Sequence, residues 1–142
     1  MSAKGSAFSS NVIKIAKANA KNYGLSSSLF KSHSIYDLDS AQDRAEFIVC
    51  CEVLEHLENP EARLKALQIV ARKYLIVTVP QEPLWSALNL ARGKCIKYLG
   101  NTPGHIQHWS RNGFFELVSK YFNIFQARSP LPWTMLLCRP QH

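Results

Sequence analysis

Three acidic residues and a histidine follow directly after an apolar run that is typical of a buried strand. The run is Phe47–Cys51, and the polar residues behind it are Glu52, Glu55, His56 and Glu58. Phe, Ile, Val and two Cys in succession indicate a parallel strand that is covered on both faces. Ligands of open α/β sheets bind outside the carboxyl ends of the strands. The sequence therefore predicts a site here, with His56 as a candidate catalytic base because an imidazole titrates at about 6.5.

A second candidate catalytic base lies late in the chain. His105 follows the loop Gly100–Gly104, and His108 and Trp109 come soon after it. Imidazole and indole side chains in one loop suit a pocket for an acceptor molecule, but a loop of this composition is also typical of a solvent-facing surface. The turn that contains Glu55 and His56 also has a purely structural interpretation, in which these side chains only connect the turn to the start of the helix that follows.

Composition and charge limit the classes of function. A chain of 142 residues with 46% hydrophobic residues predicts one domain with a real core. The net charge is +7, but the cations are dispersed and no run of five like charges occurs, which argues against a nucleic-acid interface. No apolar run approaches the ~20 residues that cross a bilayer. Without a secretory signal either, we expect the protein in the cytoplasm.

Cysteine usage favours reduced thiols over disulfides. Cys50 and Cys51 point to opposite faces of one strand, so they are most simply small buried hydrophobic residues. A zinc site built from these two cysteines with His105 and His108 is the alternative, but the four residues lack the spacing of known zinc ligands. The sequence analysis therefore predicts no metal. The four cysteines stand at positions 50, 51, 95 and 138.

The apolar periodicity predicts an alternation of helices and strands. Asn59, Pro60 and Ser110 mark helix starts, and Arg72 and Lys73 are placed in the last turn of the helix that begins at Pro60. The alternation predicts an α/β fold with a mostly parallel sheet and an antiparallel pair of strands at its C-terminal end. The predicted helices are 11–23, 60–73, 83–93 and one starting after Ser110, and the predicted strands are 28–33, 47–51, 74–79, 123–127 and 133–138.

The central stretch resembles a known family. Glu46–Pro60 is similar to the fourth strand and following turn of class I S-adenosylmethionine-dependent methyltransferases of the small-molecule kind, where an apolar strand runs into Glu-Val-Leu-Glu-His. Leu75–Pro80 resembles their fifth strand, and Gly104–Ser110 resembles their late loop with a His and an aromatic residue. The resemblance covers nearly the whole chain. It implies an incomplete Rossmann-like methyltransferase fold with S-adenosylmethionine as the cofactor.

The resemblance also implies which residues would contact the cofactor. Ala7 occupies the position where the family has an acid that holds the ribose hydroxyls. Ser34 and Ile35 fall where the family contacts adenine, and Cys51 and Glu52 fall at the end of the fourth strand, beside the cofactor. A methyl group cannot replace a carboxylate that accepts two hydrogen bonds, so we expect cofactor binding to be weak or lost.

The family's first strand and its Gly-rich loop have no counterpart in this sequence. We therefore expect residues 1–142 to form a single, N-terminally truncated methyltransferase-like domain, in which residues 1–10 are a remnant of strand two and its loop. Three hypotheses follow. In the first, the chain transfers a methyl group to an unidentified small molecule, and its activity is impaired. In the second, it is a non-catalytic remnant that binds a protein partner or a second copy of itself through an incomplete sheet. In the third, which is favoured least, it is a basic nucleic-acid-binding domain.

Overall fold

The computed structural model describes residues 3–141. The chain divides into two compact units, Met1–Leu38 and Asp39–His142, and each is described by itself below. The first two residues of the predicted strand-two remnant at 1–10 lie outside the described residues. Among residues 3–141, no helix has both the length and the apolar character needed to cross a membrane.

The first unit is a small strand–helix–strand arrangement. Strand β1 (Gly5–Ala7) leads into helix α1 (Ser10–Asn22), and strand β2 (Phe30–Ser32) pairs with β1 in parallel. The hydroxyl of Ser9 accepts the backbone N–H of Val12 and so satisfies one of the free donors at the start of α1. The predicted helix and weak strand are therefore confirmed, with small changes at their ends.

The second unit contains the other four strands and three helices. The predicted elements are confirmed here as well, and two short 3-10 turns at Leu54–His56 and Ile96–Tyr98 are added. Its elements in chain order are β3 (Ala45–Cys51), α2 (Pro60–Val70), β4 (Ala71–Pro80), α3 (Leu84–Ala91), α4 (Arg111–Ser119), β5 (Phe122–Arg128) and β6 (Trp133–Pro140).

These four strands form one sheet in the order β3-β4-β6-β5. Strands β3 and β4 are parallel, with Cys51 opposite Thr78. Strand β6 is antiparallel to both of its neighbours, so β3, β4 and β5 share one direction. This confirms the predicted sheet, which is mostly parallel and has an antiparallel pair formed by the last two strands. The carboxyl ends of β3 and β4 consequently lie side by side.

Local capping chemistry explains where two helices of this unit begin. The side chain of Asn59 accepts the N–H of Ala62 at 3.0 Å ahead of α2, and the hydroxyl of Ser110 accepts the N–H of Gly113 at 3.2 Å ahead of α4. The predicted end of the first of these helices is wrong. Helix α2 stops at Val70, and the two cations placed in its last turn belong to β4, whose strand pairing already starts at Ala71.

Strand β4 carries the centre of the core, and β3 does not. Leu75, Val77 and Val79 are fully buried, because β4 has a strand on each side. On β3, by contrast, Phe47 is 47% exposed and Val49 is 59% exposed. The expectation that β3 is covered on both faces is therefore wrong. Within residues 3–141, β3 is an edge strand that pairs with β4 alone, and an apolar run in a sequence does not distinguish an edge from a centre.

Candidate active site at the carboxyl ends of β3 and β4

The site begins where β3 ends and the chain turns sharply. Glu52 follows the last strand residue, Cys51, and has a backbone φ of 54°, in the left-handed region that few non-glycine residues adopt. Its N–H donates to the carbonyl of Thr78 at 3.2 Å and thereby extends the pairing with β4 by one residue. The turn directs the Glu52 side chain across the end of β4.

Two hydrogen bonds fix the Glu52 carboxylate. The Thr78 hydroxyl donates to one oxygen at 3.1 Å, and the indole N–H of Trp133 donates to the other at 3.1 Å. Both donors hold the ionised acid in place, and such charge-assisted bonds are stronger than neutral ones. The sequence analysis did not single out Trp133, because its position opposite Pro80 depends on the register between β4 and β6.

A cavity of about 210 Å³ opens beside this carboxylate. It lies at the ends of β3 and β4, where ligands of α/β sheets bind, and its volume suits a small molecule or one group of a larger one. The predicted cofactor residues Cys51 and Glu52 both lie on its wall. The full lining is Cys51, Glu52, Thr78, Pro130, Trp133 and Met135.

A second depression lies at the other end of the sheet. It has a volume of about 290 Å³ and is lined by Arg72, Lys73, Arg139 and Pro140. Although it is larger, it lies beside the amino end of β4 and contains neither acids nor histidines. We therefore place the candidate site at the smaller cavity.

The turn after β3 contains a buried acid. Glu55 is 1% exposed, and neither of its carboxylate oxygens has a hydrogen-bond partner within the described chain. Burial raises the pKa of Glu55 to about 7; the charge of Glu52 acts in the same direction, whereas the backbone N–H of Glu55 itself and the charge of His56 act against it. A carboxyl with a pKa of about 7 is present in both its protonated and its ionised form at neutral pH.

The His105 loop, residues 100–109, is fastened to this turn through backbone groups. The carbonyl of Glu55 accepts the N–H of Ile106 at 2.8 Å and that of Gln107 at 3.0 Å. The ring nitrogen Nδ1 of His56 lies 2.8 Å from the carbonyl oxygen of Gly104. Two segments, of which His56 and Gly104 are 48 residues apart in sequence, are thus held together at one point.

This fastening brings the two candidate catalytic histidines together. The rings of His56 and His105 meet edge to face, with 4.8 Å between their centroids. The ring of Trp85 stacks on His105 at 6.3 Å and also contacts Trp133 at 5.9 Å. The histidines are therefore connected to the cavity through the rings of Trp85 and Trp133.

Burial and neighbouring charges keep His105 in its neutral form. Its pKa is lowered from the ordinary value of 6.5, first by burial and then by the neighbouring imidazoles of His56 and His108, while the charge of Glu82 opposes the shift. A neutral imidazole can accept a proton at pH 7.

The zinc set considered from the sequence does not form within the described residues. Cys50 is buried, and burial, with the charges of Cys51 and Glu55, raises its pKa to about 12, so the thiolate that binds zinc is disfavoured. The cluster of potential metal ligands in residues 3–141 contains neither cysteine.

The remaining predicted cofactor residues lie in the first unit. Ala7 ends β1, and its carbonyl accepts the N–H of His33 at 3.1 Å. The hydroxyl of Ser34 caps a 3-10 turn at Ile35–Asp37 by accepting the N–H of Tyr36 at 3.1 Å. Ala7, Ser34 and Ile35 are therefore found at or just beyond the carboxyl ends of β1 and β2, and their role in cofactor binding stays a prediction.

Solved structures of other proteins share the fold of this chain. Magnesium protoporphyrin IX methyltransferase (ChlM) from Synechocystis PCC 6803 with bound SAH matches with a TM-score of 0.70 and 17% identity, covering 97% of this chain. The N-methyltransferase NodS from Bradyrhizobium japonicum WM9, in complex with S-adenosyl-l-homocysteine, matches with a TM-score of 0.65 and 11% identity over 96% of this chain and 65% of NodS. The chain has the class I methyltransferase fold.

The likeness is one of fold, since identities this low carry no further information. PH0226 from Pyrococcus horikoshii OT3 is similar to the same degree, with a TM-score of 0.72, 14% identity and coverage of 99% of this chain and 72% of PH0226. The chain spans 64% of the length of ChlM. No family model matches the sequence, and no curated protein matches it.

Proposed function

We propose that the chain transfers a methyl group from S-adenosylmethionine to a small molecule. The observation that carries this proposal is the cavity at the carboxyl ends of β3 and β4, with a fixed carboxylate on its wall and with Trp133, whose ring contacts Trp85 and through it His105. The class I methyltransferase fold supports it, because ChlM was crystallised with S-adenosyl-l-homocysteine and with S-adenosylmethionine, and NodS with S-adenosyl-l-homocysteine.

The residues at the end of β3 fit part of such a cofactor. The Cys51 side chain is exposed on the cavity wall, and the Glu52 carboxylate is held open by Thr78 and Trp133. In the first unit, Ser34 and Ile35 are the proposed adenine contacts. When bound, S-adenosylmethionine supplies a methyl group activated by its sulfonium.

His105 is the proposed general base. With S-adenosylmethionine bound, an acceptor hydroxyl or amine that takes up the activated methyl group would have to give up its proton. The proton passes to the neutral ring of His105, which His56 and Trp85 hold from two sides. A positioned base of this kind contributes roughly 10²- to 10⁴-fold to a rate.

A panel assay of S-adenosyl-l-homocysteine release tests the proposal. The chain is incubated with S-adenosylmethionine and small phenols, carboxylates or amines, and acceptor-dependent release is measured. We expect His105→Gln to lower the rate at least ~100-fold, while His108→Gln on the same loop leaves it nearly unchanged. Because the pKa of His105 is lowered, the rate should fall only as the pH drops below 6.5. The absence of acceptor-dependent release across the panel, at millimolar cofactor, would contradict methyl transfer.

We propose that the affinity for the cofactor is weak. Ala7 ends β1 with a methyl group, which offers no acceptor to the ribose hydroxyls that a family acid would bind. A charge-assisted hydrogen bond contributes about 1.5–3 kcal/mol, so its loss corresponds to roughly 10- to 150-fold in the dissociation constant. Calorimetric titration with S-adenosyl-l-homocysteine measures this directly.

A second candidate function is association through the edge of β3. Within the described chain this edge has no strand partner, and Phe47 and Val49 are exposed on the same strand. Unpaired N–H and C=O groups beside apolar side chains are a template for another strand. We propose a second copy of the chain as the partner, since two identical edges are self-complementary.

Light scattering coupled to size exclusion tests this second candidate. We expect a dimer that becomes monomeric in Val49→Lys, because a charge on an edge strand opposes pairing. Ile69→Lys is the matched control, since Ile69 is 56% exposed and belongs to α2 rather than to β3. A monomer at all concentrations, or equal loss in both variants, would contradict the candidate.

A further inference from the structure

Three potential metal ligands converge beside the candidate site. Glu55, His56 and His105 each offer one ligand atom, and these atoms all lie within 4.8 Å of one another. Two imidazoles and one carboxylate form a set that proteins use for zinc and for the divalent ions of iron, cobalt and nickel. Magnesium and calcium are disfavoured at such a set, because they prefer oxygen ligands.

The Glu55 side chain lacks any other partner. It is 1% exposed, and both carboxylate oxygens are buried without a hydrogen bond in the described chain. Buried acids in proteins are normally paired, hydrogen-bonded or bound to a metal. This acid has neither of the first two and lies against two imidazoles, so a cation is the group that would satisfy it.

The imidazole of His56 has one ring nitrogen engaged with a backbone carbonyl. Its Nδ1 lies 2.8 Å from the carbonyl oxygen of Gly104. A carbonyl only accepts hydrogen bonds, so Nδ1 carries the proton and the lone pair of Nε2 is free. Metal-bound histidines almost always donate their second ring N–H to a carbonyl or carboxylate in this way.

His105 is kept near the other two ligands by the backbone. The carbonyl of Glu55 accepts the N–H groups of Ile106 and Gln107, the two residues that follow His105. The face of the His105 ring is covered by Trp85, with an angle of 23° between the two ring planes. A cluster whose parts are held this way loses little conformational freedom when an ion binds.

We propose that Glu55, His56 and His105 bind one divalent transition-metal ion, with zinc the best fit. Three protein ligands leave a fourth position for water or for an oxygen of a bound molecule, as in catalytic zinc sites. The proposal goes beyond methyl transfer and its test does not depend on it, because the ion itself is the ligand. A bound ion occupies the lone pair of His105, so the general-base role proposed above belongs to the metal-free chain.

Cobalt(II) titration of the untagged, full chain after chelator treatment tests the site. We expect visible absorption bands that saturate at one ion per chain, and zinc should displace cobalt and raise the melting temperature. Loss of a group that only orients a metal ligand costs about 10–100-fold in metal affinity. Loss of a ligand itself should cost more, so Glu55→Gln and His105→Gln should each weaken cobalt binding by more than ~100-fold. Circular dichroism confirms that the variants are folded.

Two control variants separate this site from adventitious binding. His108→Gln changes a histidine of the same loop that lies 3.5 Å from Glu82, and Glu58→Gln changes an exposed acid near the same turn. Both should bind cobalt as the parent chain does. The proposal is overturned by the absence of bands at stoichiometric cobalt, by bands that persist in Glu55→Gln and His105→Gln, or by bands that disappear in His108→Gln.

Discussion

The two units of the chain differ in how they are stabilised and in what their strand ends offer. Among the described residues, two buried hydrophobic side chains, Ile13 and Ala20, lie in the first unit, whereas sixteen lie in the second. The first unit ends β1 with the methyl group of Ala7, and the second ends β3 with a fixed carboxylate. The second unit thus contains both the larger hydrophobic core and the fixed carboxylate. A packed sheet of this kind can hold charged groups in defined positions.

The largest expected effect tests where the stability lies. Leu75→Ala removes a fully buried side chain from the centre of β4 and should lower the free energy of unfolding by about 2–5 kcal/mol, through lost burial and the cavity left behind. The matched change Leu25→Ala, at a residue of the first unit that is 54% exposed, should cost less than about 0.5 kcal/mol. Urea unfolding measures both, and equal costs would contradict the contrast between the units.

The second prediction concerns pH and the buried acid. The pKa of Glu55 is raised from 4.5 to about 7 in the folded chain, so between these values the folded state binds more protons than the unfolded state. Stability should therefore fall as the pH rises through this window, by on the order of 3 kcal/mol. In chelator-containing buffer, Glu55→Gln should remove most of this slope, and Glu58→Gln should leave it. A slope that is the same in all three proteins would show that Glu55 is solvated.

The third prediction adds to the first unit the acid that it lacks. Ala7→Asp should lower the dissociation constant for S-adenosyl-l-homocysteine by roughly 10- to 150-fold, because the carboxylate can accept bonds worth about 1.5–3 kcal/mol from the ribose hydroxyls. Ala7→Asn is the control, since it offers an uncharged acceptor and should give a smaller gain. If Ala7→Asp changes nothing in a calorimetric titration, Ala7 does not occupy the ribose position.

The smallest effect tests how the second unit holds its carboxylate. Trp133→Phe keeps an aromatic ring but removes the N–H that donates to Glu52, and should cost about 0.5–1.5 kcal/mol in thermal or urea unfolding. Adding Thr78→Val removes the second donor. If the two bonds act together on one carboxylate, the double variant should differ from the sum of the single ones. Strict additivity would indicate that the Glu52 bonds are independent.

Much of the fold follows from local chemistry that the sequence displays. Asn59, Pro60 and Ser110 mark helix starts because capping depends on residues within one turn. The edge position of β3 was missed, because Phe47 and Val49 look the same in an edge strand as in a central one. The end of α2 was missed as well, because strand pairing at Ala71 overrides the preference of cations for a helix end.

The sequence groups candidate site residues only where they are close along the chain. Glu52, Glu55 and His56 share one turn and His105 lies in its own loop, and their roles stay predictions. That the rings of His56 and His105 meet depends on backbone bonds between Glu55 and the His105 loop, which the sequence does not display. The contact between Trp133 and Glu52 depends in the same way on strand register, which sequence patterns specify weakly.

The attachment of the His105 loop has a consequence for how this protein can change. Two of the bonds that attach the loop are accepted by the main-chain carbonyl of Glu55, a group that every amino acid possesses. Substitutions at positions 55 and 105 can therefore alter charge, proton affinity or metal preference while the loop keeps its place. Such a scaffold allows the reactive groups to be exchanged one at a time, so that new chemistry can be acquired without first rebuilding the architecture around it.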